Sequence, residues 1–143
     1  MKRMILALAG AVLLAGLTVV PGHGDEGKKS QALMKRKLEQ AQKVLAGIAL
    51  NDFEVIGKHA EELIAISKEA EWMVLKTPKY EIYSNDFRRI ADSLVKNAKD
   101  RNLDAATLSY VDMTLTCVKC HKHVREVRQV RANTPEPAVV RGP

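Results

Sequence analysis

Aromatic residues are scarce in this chain of 143 residues, which has one Trp, three Tyr and two Phe. Cysteine is scarcer still, with two residues, and the sequence shows no internal repeat, no convincing strand alternation and no hairpin turn. It also lacks a nucleophile–base constellation, a phosphate-binding loop and carboxylates paired at a catalytic spacing. These absences predict a helical protein without enzymatic activity.

The N-terminus has the three-part layout of a secretory signal peptide. Met1-Lys2-Arg3 is a short basic start, and Met4–Val20 is an apolar run without charge. We predict a signal peptide over residues 1–24, cleaved near Gly22 or Gly24, with an uncleaved anchor as the alternative because the run is slightly long. No cysteine follows the run, which excludes bacterial lipoprotein processing. The expected location is the periplasm, or an equivalent exported compartment of a bacterium, without stable membrane insertion after cleavage.

The net charge of +6 does not indicate a nucleic-acid partner. Lysines and arginines are scattered along the predicted helices and interleaved with acids, as on an ordinary solvated surface. Basic residues cluster only near the C-terminus, at Lys119, Lys122, Arg125, Arg128 and Arg131. Loss of the signal would leave about 120 residues, enough for one domain, with a charge of about +4.

Apolar periodicity and capping residues divide the rest of the chain into four predicted helices. The first helix is predicted to begin near Ser30, and the second to begin at Asn51-Asp52 and end at Thr77-Pro78. The third is predicted to begin at Ser84 or Asn85, and the fourth at Asp104. Each helix is expected to turn an apolar stripe toward the core, among them Met34, Leu38, Ala41, Leu45 and Ile48 on the first helix, and Leu108, Val111, Leu115 and Val118 on the fourth. Short connections predict an all-α, antiparallel four-helix bundle over residues 25–131. The tail over 132–143 is rich in proline and is expected to be disordered.

The chemistry-bearing motif is Cys117-Val-Lys-Cys120-His121, the c-type haem attachment sequence. The two thiols add to the two vinyl groups of one haem as thioethers, and the adjacent histidine coordinates the iron. One helical turn separates the cysteines, so both sulfurs lie at the same edge of the porphyrin. The motif predicts one covalent haem c near the C-terminal end of the fourth helix, held by Cys117 and Cys120 with His121 as proximal ligand.

Other interpretations of the same residues are weaker. A thioredoxin-like Cys-x-x-Cys pair normally follows a strand, and no strand is predicted here. A structural zinc site would want four ligands, whereas this motif supplies three. A non-haem exported helical protein that uses Cys117 and Cys120 as a thiol-redox pair is therefore kept as an alternative from a different class.

The position of the motif on its helix suggests how a haem would sit. At about 100° per residue, His121 falls about 60° from Val118, beside the expected core stripe. Cys117 and Cys120 are expected further round, toward the outer side. Because aromatic residues are few, the haem would add a large apolar body to the core, and we expect folding and attachment to be coupled.

A haem motif at the end of a four-helix chain resembles the class II cytochromes c, the cytochrome c′ family. Gln31-Ala-Leu-Met-Lys35 resembles the opening of that family's first helix, and Asn51-Asp-Phe is similar to the start of its second. Arg125 falls where the family usually has a basic residue, whereas Val124 stands where an aromatic is usual. The likeness spans roughly Ser30 to Arg128.

The resemblance also implies a choice of sixth iron ligand. Five-coordinate members of the family bind small gases such as nitric oxide, whereas six-coordinate, low-spin members use a methionine from the first helix and resemble electron carriers. Met34 is placed where that methionine is expected, and its Leu-Met-Lys context is similar to the low-spin group. His/Met ligation would raise the reduction potential. From the residues alone, a methionine on an apolar stripe indicates core packing.

The remaining methionines and histidines are weaker ligand candidates. Met113 shares a helix with His121 and lies about 12 Å from it along the axis, so it cannot reach the opposite haem face. Met73 is expected to pack near the end of the second helix. His59 and His123 are expected at partly exposed or solvent-facing positions.

We therefore expect an exported mono-haem c-type cytochrome that passes single electrons between redox partner proteins. The first alternative is a five-coordinate cytochrome c′ that binds small gases, with Met34 packing in the distal pocket. The second is the non-haem thiol-redox protein. The resemblance also allows a homodimer, although the sequence shows no surface stripe that argues for one.

Overall fold

The computed structural model describes residues 24–134, and over this range the protein is all-helical, with four α-helices and no strand. The helices are α1 (Gly24–Ala49), α2 (Phe53–Ile66), α3 (Pro78–Lys99) and α4 (Leu103–Asn133), and a short 3-10 helix follows α2 at Ala70–Trp72. This confirms the predicted all-α class and is consistent with a helical bundle. No helix in the described range is long and apolar enough to cross a membrane.

The two predicted terminal segments fall mostly outside the described residues. Of the signal peptide predicted over 1–24, only Gly24 is described, and it begins α1. At the other end α4 continues through Asn133, so the first two residues of the predicted tail are helical. Residues 135–143 lie outside the described range.

The α1–α2 and α3–α4 connections are built in the same way. Asn51 and Arg101 have left-handed backbones, with φ of 53° and 52°. The next N–H in each turn donates back to a carbonyl of the helix that has just ended, Asp52 to Gly47 at 2.8 Å and Asn102 to Asn97 at 2.9 Å. This pattern is the Schellman C-cap, which closes a helix within two residues.

The residue after each left-handed position caps the next helix. Asp52 accepts a hydrogen bond from the Val55 N–H at 3.1 Å, and Asn102 accepts one from the Ala105 N–H at 3.0 Å. The predicted fourth-helix cap, Asp104, was wrong by two residues. Asp104 lies instead in the first turn, where a negative charge favours the helix dipole.

The predicted boundary between the second and third helices was also wrong. Helix α2 ends at Ile66, and α3 begins at Pro78, with Thr77 accepting a hydrogen bond from the Tyr80 N–H at 3.2 Å. Proline suits the first turn of a helix because its missing N–H has no intrahelical partner there. Ser84, a predicted cap, is buried inside α3.

The hydrophobic core draws on all four helices and on the segment between α2 and α3. Its fully buried large side chains include Leu33, Val44, Ile56, Leu63, Ile66, Phe87, Leu94 and Met113. The expected α4 stripe does not contribute, because Leu108, Val111, Leu115 and Val118 are all exposed. On α1, Leu38 and Leu45 are exposed as well.

Consecutive helices pack closely, whereas the first and the last helix touch each other much less. A groove therefore runs between them, which we call the α1–α4 groove. Two hydrogen bonds of 2.9 Å from the Arg36 guanidinium to the Glu69 carboxylate hold α1 to the segment after α2. The haem motif and Met34 both lie along this groove, as described next.

Candidate haem-binding site

The two motif cysteines lie on the inner side of α4. Both are free thiols, half-buried, and packed against the hydrophobic core. Val118 between them is exposed. The expectation that the cysteines lie toward the outer side was wrong, because the core face of α4 runs through Met113 and Thr116 rather than through Val118.

Two cavities of about 690 and 380 Å³ open along the α1–α4 groove. The larger is lined by Lys28, Gln31, Ala32, Met34, Lys35, Lys37, Leu38, Ala41, Cys117 and His121. The smaller is lined by Gly27, Ser30, Gln31, Met34, Lys37, Trp72, Val74, Tyr80, Cys120, His121, Val124, Arg125 and Arg128. Met34 and His121 line both, so the structure brings the proposed sixth ligand and the motif to one place. Cavities of this size are typical of cofactor sites.

Burial favours the protonated state of the Cys120 thiol. Desolvation raises its pKa above the usual value, and the neighbouring Cys117 adds to the rise, while Lys37 opposes it. Redox-active thiols instead have a lowered pKa, often from a position at a helix N-terminus. The motif lies well inside α4, away from its first turn. These features favour a protonated thiol over a reactive thiolate at neutral pH.

The His121 imidazole is favoured in its neutral form. The residue is exposed overall, but the protein around the ring desolvates it and lowers its pKa, and the charges of Lys37 and Arg125 lower it further. Neutral imidazole is the form that binds metals. His121 therefore has the protonation state that an iron ligand needs.

Lys37 is a buried cation that sequence reasoning missed. It is 8% exposed, and its Nζ lies 4.5 Å from the Trp72 ring centroid and 4.2 Å from that of Phe87. Both distances suit cation–π attraction, which offsets part of the cost of burying the charge. Its spacing from Leu33 gives a sequence signal, since residues four apart share a helix face.

Tyr80 and Trp72 form a fixed wall of the smaller cavity, and they were also missed. The Tyr80 hydroxyl donates to the Trp72 carbonyl, and the Trp72 indole N–H donates to the Ser84 hydroxyl at 3.0 Å. Desolvation is the main cause that raises the pKa of Tyr80 to about 12, and Cys120 contributes. The tyrosine is therefore neutral at physiological pH and acts as a hydrogen-bond donor.

The other candidate ligands do not line either of these two cavities. Met113 is buried in the core, and exposed Met73 lines an adjoining cavity that shares Arg128 and Val74 with the smaller one but contains none of the motif residues. His59 is half-buried, with its Nδ1 2.7 Å from the Gln40 side-chain oxygen. The solvent-facing position expected for His123 was wrong. It is buried against α3, with its Nε2 2.9 Å from the Thr77 hydroxyl.

Within residues 24–134, no group of three or more His, Cys, Asp or Glu side chains is arranged to hold a bare metal ion. A haem iron needs fewer protein ligands than a bare metal ion, because the porphyrin supplies four nitrogens and the protein supplies only the axial ligands. Searches of protein families, curated proteins and solved structures found no match to this chain. The functional argument accordingly rests on the residues and their geometry.

Proposed function

We propose that the protein is an exported mono-haem c-type cytochrome that carries single electrons. Cys117 and Cys120 would hold the haem as thioethers, and His121 and Met34 would be the ligands of its iron. The observation that carries the proposal is that Met34, on α1, lines the same groove as the three motif residues on α4. The redox partners are other proteins of the exported compartment.

The proposal includes an antiparallel four-helix bundle around this groove. Two contacts, one at each end of α3, support that arrangement. Thr77, before α3, meets His123 in the second half of α4, and Asn97, late in α3, donates to Ser109, early in α4, at 3.1 Å. An antiparallel order also lets α1 and α4 flank one haem from opposite sides.

The donor set of the groove fits haem. Two free thiols one turn apart suit thioether formation, a neutral imidazole suits the proximal position, and a thioether is a soft ligand for haem iron. Apolar Leu38 and Ala41 line the larger cavity and would supply apolar surface for a porphyrin. Arg125 and Arg128 line the smaller cavity and supply cations for the propionates.

Haem, when bound, supplies the one-electron couple of iron. The chain contributes ligands, burial and charge, which set how readily that electron moves. Met34 would bind the iron through its thioether sulfur and would thereby keep water and gases from binding there. Lys37 places a positive charge beside Cys120 and His121 and favours the less positively charged state of the site.

The attachment proposal is tested by the mass of the exported protein. From a host competent in cytochrome c maturation, the processed chain should gain the mass of one haem and stain for haem after denaturing electrophoresis. Cys117→Ala with Cys120→Ala should abolish both signals. A wild-type mass equal to the bare chain would reject the proposal in favour of a thiol-redox protein.

The ligand proposal is tested by the spin state of the oxidised iron. Wild-type protein should be low-spin and should show the weak near-infrared band of sulfur-to-iron charge transfer. Met34→Ala should shift the iron toward high spin, lower the reduction potential and speed carbon monoxide binding to the reduced form. Met73→Leu, which changes a methionine that lines neither cavity of the motif, is the control and should change none of these. A high-spin wild-type protein that Met34→Ala does not alter would favour the gas-binding alternative.

A further inference from the structure

Positive charge is concentrated around the α1–α4 groove. Five cations line its two cavities, and among the described residues no carboxylate does so. The cations are Lys28, Lys35 and Lys37 on α1 and Arg125 and Arg128 on α4. On α2 and α3, by contrast, acids and bases are interleaved. The excess of one sign is therefore a local property of the groove.

Four of the five cations can meet a partner from solvent. Lys28, Lys35, Arg125 and Arg128 are all exposed, and none of them has an ion-pair partner within residues 24–134. We call these four residues the cationic rim. Lys37 is buried and adds its charge from inside the groove.

Haem, which we propose for the groove, would not neutralise this charge. It brings two propionates with one negative charge each, whereas five cations line the cavities. Arg125 and Arg128 are the cations proposed for the propionates, which leaves the three lysines of α1 without a counter-charge. An opposite charge that approaches this surface is attracted by all of them together.

We propose that the cationic rim docks an acidic surface of the redox partner protein. The inference rests on the proposed function, because an electron carrier must bring its haem close to a partner and the groove is where a haem would reach the surface. Complementary charge steers such an encounter and orients the two proteins. A protruding protein surface fits a recessed groove, whereas a flat bilayer would meet only its rim.

The test measures electron transfer from the reduced, haem-loaded protein to two oxidants of opposite charge. One electron passes to hexacyanoferrate(III), an anion, or to tris(phenanthroline)cobalt(III), a cation, and no atom or proton is transferred. At about 0.1 M ionic strength, charges more than about 10 Å from the point of transfer are largely screened. Lys28→Glu and Lys35→Glu should each slow oxidation by the anion by about threefold or more and speed oxidation by the cation. Lys96→Glu, which reverses an exposed lysine of α3 outside both cavities, should change neither rate.

Opposite effects on the two oxidants are the result that supports the proposal, because a changed reduction potential would move both rates in the same direction. The differences between variants should disappear at about 1 M salt, where the Debye length is about 3 Å. Visible spectra and circular dichroism check that each variant keeps its haem and its helical content. A haem-loaded protein whose two rates do not respond to Lys28→Glu or Lys35→Glu overturns the proposal and leaves the proposed function intact. A protein that carries no haem overturns the proposed function itself.

Poly-L-glutamate is the probe for an acidic protein surface. It should slow the oxidation of wild type by hexacyanoferrate(III), and the double variant Lys28→Glu/Lys35→Glu should need at least about tenfold more of it for the same effect. Vesicles of phosphatidylcholine with phosphatidylglycerol are the comparison. Binding to these vesicles without binding to poly-L-glutamate would assign the cationic rim to a membrane surface and overturn the proposal.

Discussion

At the scale of single residues, the buried charge of Lys37 has the clearest consequence. Its ammonium lies over the rings of Trp72 and Phe87 and lowers the pKa of His121. A fixed positive charge near haem iron disfavours the oxidised state, which carries one more positive charge than the reduced state. Lys37 should therefore raise the reduction potential of the loaded protein.

Lys37→Leu should lower that potential by roughly 40 mV, equivalent to about 1 kcal/mol for one electron. A redox titration followed in the visible spectrum measures the change, and an unaltered low-spin spectrum shows that the iron ligands are kept. Lys43→Leu removes an exposed lysine of α1 and is the matched control. Equal potentials for Lys37→Leu and wild type would contradict the electrostatic role.

The sequence offered candidate site residues but not their surroundings. The motif was recognised because residue type and spacing express its chemistry directly, whereas Met34 was named through the family resemblance, since a methionine on an apolar stripe by itself indicates core packing. Lys37 and Tyr80 were missed because their importance comes from burial, which depends on how α1, α3 and α4 meet. His123 was misplaced for the same reason, since its partner Thr77 belongs to a distant turn.

At the scale of elements, two helical glycines show how closely α2 approaches its neighbours α1 and α3. A Cβ at Gly47 would lie 2.9 Å from Ile56 Cγ1 and 3.1 Å from the Ile56 backbone nitrogen. A Cβ at Gly57 would meet only Ala98 Cβ, at 3.6 Å, which is ordinary contact. Glycine is therefore required at the first position and replaceable at the second.

Gly47→Ala should lower the free energy of unfolding by about 1–3 kcal/mol, because overpacking exceeds the gain in helix propensity. Gly57→Ala should raise it by about 0.5–1 kcal/mol through propensity alone. Urea denaturation of the two variants beside wild type measures both changes. Two variants of equal stability would contradict the close approach of α1 and α2.

Helix count was predictable, whereas helix ends and faces were less so. The boundary predicted at Asn51-Asp52 is shared between two roles, because Asn51 closes α1 in a left-handed conformation and Asp52 caps α2. On α4 the apolar residues do recur at helical spacing, but the stripe they form faces outward and not toward the core. The core-facing side of this helix carries other apolar residues, such as Met113. A helix that is apolar on more than one side gives no unique core face from periodicity.

At the scale of the whole molecule, the faces of α4 explain how a domain with few aromatics can remain stable. One face of the helix packs into the core, the adjoining face lines the α1–α4 groove, and the outward face carries the exposed stripe. Haem, which we propose for the groove, would cover apolar surface there and add to stability in proportion to the area removed from water.

Stability of the whole protein should also depend on pH through His59, which links α2 to Gln40 of α1. Desolvation is the main cause that lowers the folded-state pKa of His59, and the positive charges of Lys43 and Lys58 lower it further. The unfolded chain, with a histidine pKa of about 6.5, then binds more protons than the folded chain just below that pH. The free energy of unfolding should therefore fall as pH is lowered from about 6.5 toward the folded-state pKa, and should not vary through His59 above that window.

Urea midpoints measured between pH 5 and 8, a range of about 1.5 units on each side of the usual histidine pKa, test this expectation. His59→Gln removes the titrating group and should flatten the pH dependence in this window. Lys43→Gln removes one of the charges that depress the pKa, so it should reduce the dependence without abolishing it. A His59→Gln variant whose midpoints follow the wild-type curve would assign the pH dependence to other groups. It would also show that burial of His59 between α1 and α2 does not contribute to the linkage between protonation and folding.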